Sequence, residues 1–195
     1  MKKFFIYTVI AIFLFSFAAC LKQVTRVSPN KTIDITGKWN DTDSRLVADT
    51  MINQLLLDKW VSNYMQSHNG KRPVIIVGLV KNKSYEHIDA ETFIGDVEKA
   101  IVKNGSVRLV QAGDNRNELR TERADQQDFA SPETTKKWGK ELGADFIMQG
   151  TINSIVDANS MEKVIFYQVD LQLTDLETNE VVWMGDKKIK KYVHN

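Results

Sequence analysis

Few residues in this sequence could do chemistry. They are three histidines, two neighbouring acids and one cysteine: His68, His87, His194, Asp41, Asp43 and Cys20. A metal or acid–base site needs several such side chains at short, regular spacing, and the histidines lie far apart along the chain. The sequence has no HExxH, GxSxG or CxxC motif, and Gly78–Ser84 lacks the spacing of a phosphate-binding loop. We therefore predict no catalytic residue, no metal site, no cofactor and no small-molecule substrate.

The two acids have a simpler interpretation than catalysis. Asp41 and Asp43 could be imagined as a carboxylate pair for acid–base work or for a metal ion. They also stand where a helix is predicted to begin, and the helix dipole favours negative charge there. We interpret them as capping residues, and we place Trp39 and Trp183 in the core or at a sheet edge rather than on a sugar-stacking platform.

The cysteine follows a secretory leader. Met1–Lys3 is positively charged, Phe4–Phe17 is apolar and Ala18–Ala19 are small, which is the three-part layout of an export signal. The apolar run is shorter than the roughly 20 residues that a membrane-spanning helix needs. We therefore predict export rather than a permanent membrane span.

Small residues directly before Cys20 resemble the lipobox of bacterial lipoproteins, although Phe17 stands where that pattern prefers Leu. In that class the thiol receives a diacylglycerol, and the signal is cleaved in front of the cysteine. Cys20 would then become an acylated N-terminus. The alternative is an ordinary signal in which Cys20 is discarded or stays a free thiol, but this explains poorly why the chain has no other cysteine.

These observations divide the chain into three parts. We predict a lipoprotein signal peptide over residues 1–19, the lipidated cysteine and a short tether over 20–32, and a single α/β domain over 33–195. Leu21–Lys31 is polar and, fully stretched, would reach about 40 Å. Without Lys2 and Lys3 the chain has 24 basic and 25 acidic residues. This balance, with no long block of like charge, argues against a nucleic-acid partner.

The first half of the domain alternates between strand and helix patterns. Ile33–Thr36 alternates like a strand, and Asp41–Trp60 has apolar residues at helical spacing behind the capping residues Asn40–Asp43. Val61–Arg72 is polar, with a break at Gly70. Pro73–Val80 is continuously apolar and β-branched, so we predict a buried central strand.

The middle of the domain continues this alternation. Asp89 is a predicted N-cap, and Asn104-Gly105 is a predicted helix end. Val107–Val110 is a short predicted strand. The pattern then favours a surface helix over Asp114–Phe129 and another from Ser131-Pro132 to Leu142-Gly143.

The last fifty residues change character. Ala144–Val156, Val164–Thr174 and Glu180–Ile189 are strand-like, and the middle one alternates apolar and polar residues with a period of two. Asp175–Asn179 supplies the turn of a hairpin. We predict an α/β two-layer sandwich: a mixed sheet with helices on one side and a C-terminal antiparallel three-strand meander.

Five stretches occur in a recognisable order: Gly37–Val47 (GKWNDTDSRLV), Asn82–Ser84 with His87–Asp89, Asn104–Val110 (NGSVRLV), Leu142–Asp145 and Leu176–Trp183 (LETNEVVW). In this order they resemble the LpoB family of lipoprotein activators of penicillin-binding proteins. No single motif is diagnostic, but the ordered set covers the chain from Ile33 to about Ile189.

The resemblance implies a TolB N-terminal-like domain without enzymatic activity. It would be lipid-anchored in the outer membrane, face the periplasm, and bind and activate a bifunctional penicillin-binding protein. Lys22 is compatible with outer-membrane sorting. As partner-binding residues we predict Trp39, Asp41, Asp43, Arg45, Asn82, Lys83 and Ser84, unless these motifs only cap helices and fix turns. The tether departs from the family, whose best-known members have a much longer one. The alternative is a structural or secretion-associated envelope lipoprotein related to curli-secretion lipoproteins.

Overall fold

The computed structural model describes residues 23–134 and 141–194. Residues 32–194 of this part belong to one folded unit, and residues 23–31 belong to another. The predicted signal peptide and Cys20 lie outside the described residues, so they stay predictions. Most of the helix predicted after Ser131 also lies outside them, and Ser131–Thr134 forms a turn.

The folded unit has four described helices and five strands. The helices are α1 (Asp41–Leu57), α2 (Lys59–Ser67), α3 (Ala90–Asn104) and α4 (Gly113–Phe129). The strands are β1 (Val74–Asn82), β2 (Arg108–Leu109), β3 (Phe146–Ala158), β4 (Glu162–Asp175) and β5 (Val181–His194). None of the helices within residues 23–134 and 141–194 is both long and apolar enough to cross a bilayer.

The five strands form one mixed sheet in the order β2-β1-β3-β4-β5. Strand β1 runs parallel to β2 and β3, whereas β3, β4 and β5 form an antiparallel meander. Along β4, Ile165, Tyr167, Val169, Leu171 and Leu173 are buried and the residues between them are half-buried. Helices α1 and α3 therefore cover one face of the sheet only, as the alternating pattern predicts, and the predicted fold class is confirmed.

Local caps explain where the helices begin and end. Helix α3 begins at the predicted cap Asp89, whose side chain accepts a hydrogen bond from the Glu91 N–H, and it ends at Gly105 in the left-handed conformation. Phe93, Val97 and Ile101 are its buried face. Helix α4, as predicted, lies at the surface without a buried residue.

Two predictions of secondary structure are wrong. Ile33–Thr36 forms no strand, because Ile33 and Ile35 are exposed and no neighbouring strand pairs with them. The helix predicted from Asp41 ends at Leu57, because the extended backbone of Asp58 interrupts it and caps a second helix, α2. Helix α2 occupies part of the segment that the sequence indicated only as polar.

The break between α1 and α2 is stabilised by Trp60. Its ring N–H donates to the Leu55 carbonyl over 2.7 Å, which satisfies a C-terminal acceptor of α1. The ring also packs edge to face on Phe146, with 5.3 Å between centroids. On α1, Val47, Met51 and Leu55 are buried, whereas Leu46 is 52% exposed.

Candidate partner-binding groove

The loop that follows β1 is fixed by hydrogen bonds of its own side chains. The Asn82 side-chain oxygen accepts from the Ser84 N–H (2.9 Å) and from the Ser84 hydroxyl (2.7 Å), and the Asn82 amide donates to the Glu86 carbonyl (2.8 Å). Asn and Ser favour such turns because their short side chains bond to nearby backbone. Lys83 is held as well, since its N–H donates to the Ile152 carbonyl of β3 over 2.7 Å. The loop therefore has a fixed course that turns Glu86 inward.

Glu86 ties the loop to the segment before α1 and to β4. Its Oε1 accepts from the Tyr167 hydroxyl (2.7 Å), and its Oε2 accepts from the Trp39 backbone N–H (3.0 Å). Desolvation, and secondarily the hydrogen bond to Glu86, raise the pKa of Tyr167 well above its usual range. The Trp39 ring meets Tyr167 edge to face, and its ring N–H donates to the Ser44 hydroxyl over 2.8 Å. These contacts fix Trp39 between the loop and the helix start.

The start of α1 is a capping box. The Asp43 N–H donates to the Asn40 side chain (3.2 Å), and the Asn40 N–H donates to the Asp43 carboxylate (2.9 Å). Together these bonds satisfy two backbone donors at the helix start. Asp43 is only 5% exposed. The prediction that this acid caps a helix is therefore confirmed.

The buried Asp43 carboxylate has a counter-ion from β5. Lys191 Nζ lies 2.6 Å from Asp43 and 2.7 Å from Asp34, and it also donates to the Lys38 carbonyl over 3.0 Å. Desolvation lowers the pKa of Lys191, but hydrogen bonds to Asp34 and Asp43 outweigh it, so the net pKa is raised. The hydrogen bond from Lys191 lowers the pKa of Asp34. Lys191 thus attaches the segment before α1 to the sheet.

These contacts frame a groove at the carboxyl end of β1. It has a volume of about 680 Å³ and is lined by Lys38, Trp39, Tyr85, Glu86, His87, Val156 and Lys163. Tyr85 is 86% exposed at its rim. Ligands of α/β sheets commonly bind at the carboxyl ends of the strands. The groove combines an aromatic and aliphatic lining with two lysines, which suits a binding surface.

The carboxylates at the groove and at the start of α1 are engaged in internal contacts. Both oxygens of Glu86 already accept hydrogen bonds, and the Asp43 carboxylate is held by its cap and by Lys191. The histidines lie on separate elements: His68 follows α2, His87 lines the groove and His194 ends β5. Over residues 23–134 and 141–194, no group of three His, Cys, Asp or Glu side chains is placed to hold a metal ion.

The predicted partner-binding residues divide into two groups. Trp39, Asp43, Asn82 and Ser84 shape the groove and its loop through internal hydrogen bonds. Asp41 and Lys83 have exposed side chains, but Lys83 lines a separate surface depression with Leu79 and Met184, and half-buried Arg45 lines a cleft between α1 and α3. The structure therefore brings four of these seven residues to the groove and its loop. Their role in binding stays a prediction.

Two residues that join the motifs, Glu86 and Lys191, are not among those predicted from the sequence. Glu86 reaches across to Tyr167, which is 81 positions away along the chain, and to Trp39, which is 47 positions away. Lys191 stands on the core-facing side of β5, in register with the buried Ile165. A lysine at a core-facing position of an alternating strand signals a buried counter-charge, and this signal could have found Lys191. No comparable local signal marks Glu86.

Three solved structures are similar to this chain. The LpoB C-terminal domain from Salmonella enterica has 16% identity and a TM-score of 0.44, over 76% of this chain and 99% of that one. The corresponding Escherichia coli domain has 18% identity and a TM-score of 0.43, over 76% and 99%. Lipoprotein GNA1162 from Neisseria meningitidis has 12% identity and a TM-score of 0.41, over 63% and 84%.

Sequence comparison gives the assignment. No protein with a curated description matches the chain. The family model described as peptidoglycan-synthase activator LpoB matches residues 43–189, which is well over half of the chain. The chain therefore belongs to the LpoB family of peptidoglycan-synthase activators.

Proposed function

We propose that this protein is a non-enzymatic outer-membrane lipoprotein, facing the periplasm, that binds a bifunctional penicillin-binding protein and raises its glycosyltransferase and transpeptidase rates. Membership of the LpoB family supports the regulation of peptidoglycan synthesis. The finer proposal depends chiefly on one observation at the groove. The polar groups that build it are used internally, while an apolar lining and two lysines face outward.

This arrangement suits binding better than a reaction. The Glu86 carboxylate accepts hydrogen bonds from the Tyr167 hydroxyl and the Trp39 N–H, so its role is to hold the groove in shape. A partner can contact the side chains of Tyr85, Lys38 and Lys163 without breaking the hydrogen bonds of Glu86. We therefore assign the groove to protein contact.

Activation without chemistry requires differential binding. The lipoprotein can shift the synthase toward its active conformation only by binding that conformation more tightly. We propose that Asp41, Arg45 and Lys83 contribute further contacts to the partner outside the groove. Trp39, Asp43, Asn82 and Ser84 would act by holding the groove in shape.

The membrane attachment is proposed to be the lipid on Cys20. Expression of a Cys20→Ala variant tests it by membrane fractionation and by mass analysis of the N-terminus. We expect loss of the acyl mass and release into the soluble fraction. Unchanged membrane association of the variant would refute the lipid anchor.

A pull-down and a glycan-polymerisation assay test the activator role. The mature chain is mixed with the bifunctional penicillin-binding proteins of the same organism, and both binding and polymerisation rate are measured. Tyr85→Ser is the informative variant, and Leu57→Ser is its matched control, because both side chains are 86% exposed and Leu57 ends α1 away from the groove. We expect only Tyr85→Ser to weaken binding and activation.

Two results would count against this proposal. Absence of binding and of any rate change with the unsubstituted chain would sink the activator role and favour the structural or secretion-associated alternative. Equal effects of the two substitutions would retain the activator role but move the docking surface away from the groove.

A further inference from the structure

One edge of the five-stranded sheet has no neighbouring strand among the described residues. The order β2-β1-β3-β4-β5 makes β5, with 14 residues, an outer strand, whereas the other outer strand, β2, has only two residues. Within residues 23–134 and 141–194, β4 is the one segment that forms backbone hydrogen bonds with β5. In an antiparallel pair, alternate residues direct their N–H and C=O groups away from the partner strand. The free edge of β5 therefore presents a row of unpaired backbone donors and acceptors.

The middle of this strand carries an excess of positive charge. Its six residues DKKIKK contain four lysines and one acid. Lys188 pairs with Asp186 over 3.2 Å, and Lys191 is held at the start of α1. No ion pair joins Lys187 or Lys190 to an acid in the part of the chain that the structure describes. These two lysines leave uncompensated charge beside the free edge.

The side chains along this edge alternate between two kinds. Lys188 and Lys190 are exposed on the open face of the sheet, whereas Ile189 between them is half-buried and packs against the core. A strand that pairs with β5 would place its own side chains in the same two rows. Acidic side chains opposite the lysines and an apolar side chain opposite Ile189 would stabilise this pairing. The edge is therefore complementary to a segment with an acidic–apolar–acidic pattern.

A second copy of β5 fits this edge less well. Two such strands side by side would bring two lysine-rich segments together, and like charges directly opposite each other are destabilising. Lysines on an outer strand commonly prevent identical edges from associating for this reason. With an acidic segment the same charges become an attraction. The lysines therefore discriminate between partners as well as protect the edge.

We propose that the free edge of β5 binds an extended acidic–apolar–acidic segment of the penicillin-binding protein as an additional strand of the sheet. Backbone hydrogen bonds supply affinity, and the lysines supply selectivity. The edge ends beside the groove, because Lys191 donates to the carbonyl of Lys38, which lines the groove. One partner can therefore contact both surfaces. The identity of this partner rests on the function proposed above, whereas the capacity of the edge to take a strand does not.

A synthetic peptide tests the edge without the synthase. The probe is a peptide of about eight residues in which glutamate and valine alternate, because this length matches an ordinary strand. Its control has the same sequence with every backbone nitrogen methylated, so that it keeps the charge but cannot donate backbone hydrogen bonds. Each peptide is added to the unacylated chain from residue 20, and amide hydrogen exchange along β5 is measured by NMR.

We expect the probe peptide at saturation to slow exchange of alternate β5 amides about fivefold or more, because these amides gain hydrogen-bond acceptors. The methylated peptide should slow none of them. At about 0.15 M salt, Lys187→Gln/Lys190→Gln should raise the Kd of the probe about threefold or more, since two charge pairs are lost. The matched control is Lys99→Gln/Lys103→Gln, which removes the same charge from the exposed side of α3 and should leave the Kd unchanged.

Three results would overturn the inference. The first is that the probe leaves the exchange of β5 amides unchanged, or that the methylated peptide slows it equally. The second is an equal Kd of the probe for the two double variants, which would remove the lysines from recognition. The third is a dimer joined through β5, detected by sedimentation and by exchange without peptide, because the edge would then belong to a second copy of the chain.

Measurements with the synthase separate this inference from the proposed function. If the unsubstituted chain binds the probe at β5 but neither binds nor activates the synthase, strand addition is upheld and the activator role is refuted. If the chain activates the synthase but the probe protects no β5 amide, the activator role is upheld and strand addition is refuted. In a pull-down, Lys187→Gln/Lys190→Gln should retain less synthase than the α3 control, and equal retention would contradict the assignment of this edge to the synthase.

Discussion

The Lys191 contacts give the sharpest prediction about stability. Lys191→Met removes the charge that serves both Asp43 and Asp34, whereas the methionine side chain keeps much of the apolar stem. The side chains of Lys191 and Asp43 are 11% and 7% exposed, so the charge left on Asp43 stays buried. Breaking a buried pair by removing one partner typically costs about 3–5 kcal/mol.

We expect a loss near the lower end of that range, about 3 kcal/mol, because Asp43 keeps its bond from the Asn40 N–H and solvent reaches Asp34. For a domain of this size, such a loss lowers the melting temperature by about 6–12 °C. Urea unfolding of the mature chain, followed by circular dichroism, measures the free energy. Lys190→Met is the control, since Lys190 is exposed on the opposite face of β5.

A second substitution makes the reasoning testable in detail. In Lys191→Met/Asp43→Asn the buried charge is gone, while an amide oxygen can still accept the bond from the helix start. The double variant should therefore be more stable than Lys191→Met alone, by about 1 kcal/mol or more. A cost for Lys191→Met below about 1 kcal/mol, or no recovery in the double variant, would refute a buried ion pair as the source of stability.

Three further predictions concern the sheet, the groove and pH. Gly150→Ala should lower the free energy of unfolding in urea by about 2 kcal/mol or more, because a Cβ there would overlap β4. Gly95→Ala, on open helix surface, should be neutral or stabilising. Equal effects of the two substitutions would contradict this packing. Tyr167→Phe leaves a Glu86 oxygen unpaired and should cost about 1–2 kcal/mol, and an unchanged melting temperature would argue against the hydrogen bond. The pKa of Asp34 is lowered in the folded chain, so the stability that this carboxylate contributes is complete above its unfolded pKa of about 4 and is lost as the pH falls further. Below about pH 4, the denaturation midpoint should therefore decrease less steeply with falling pH in a variant that lacks this carboxyl than in the unsubstituted chain.

The features predicted correctly from sequence are those determined locally. The period of two along β4 depends only on which residues face the helices, and the structure buries Ile165 to Leu173 at alternate positions accordingly. The caps at Asp89 and Gly105 are likewise set by residues within a few positions. Such signals are contained in short windows of sequence, so they could be interpreted without knowledge of the fold.

The features that were missed depend on distant partners. Ile33–Thr36 has the alternation of a strand, but no strand lies beside it, and Asp34 is held by Lys191 across 157 positions. Helix α2 is an exception, because Trp60, Val61, Tyr64 and Met65 recur at helical spacing within a segment that was interpreted only as polar. Trp60 and Tyr64 pack on Phe146. In the groove, the motif residues were visible in sequence, but Glu86, which joins them, was not.

The internal hydrogen bonds of the groove have a consequence for the proposed docking. Loops usually lose conformational entropy when they bind, and this loss reduces affinity. Here Asn82 and Ser84 fix the loop, Glu86 joins it to Trp39, and Lys191 holds the segment before α1, all in the unbound chain. Under the proposed function, a groove built in advance would bind the synthase without first ordering its loop. Substitutions inside this network would then weaken the proposed docking through loss of shape, and substitutions at Tyr85 would weaken it through loss of contact.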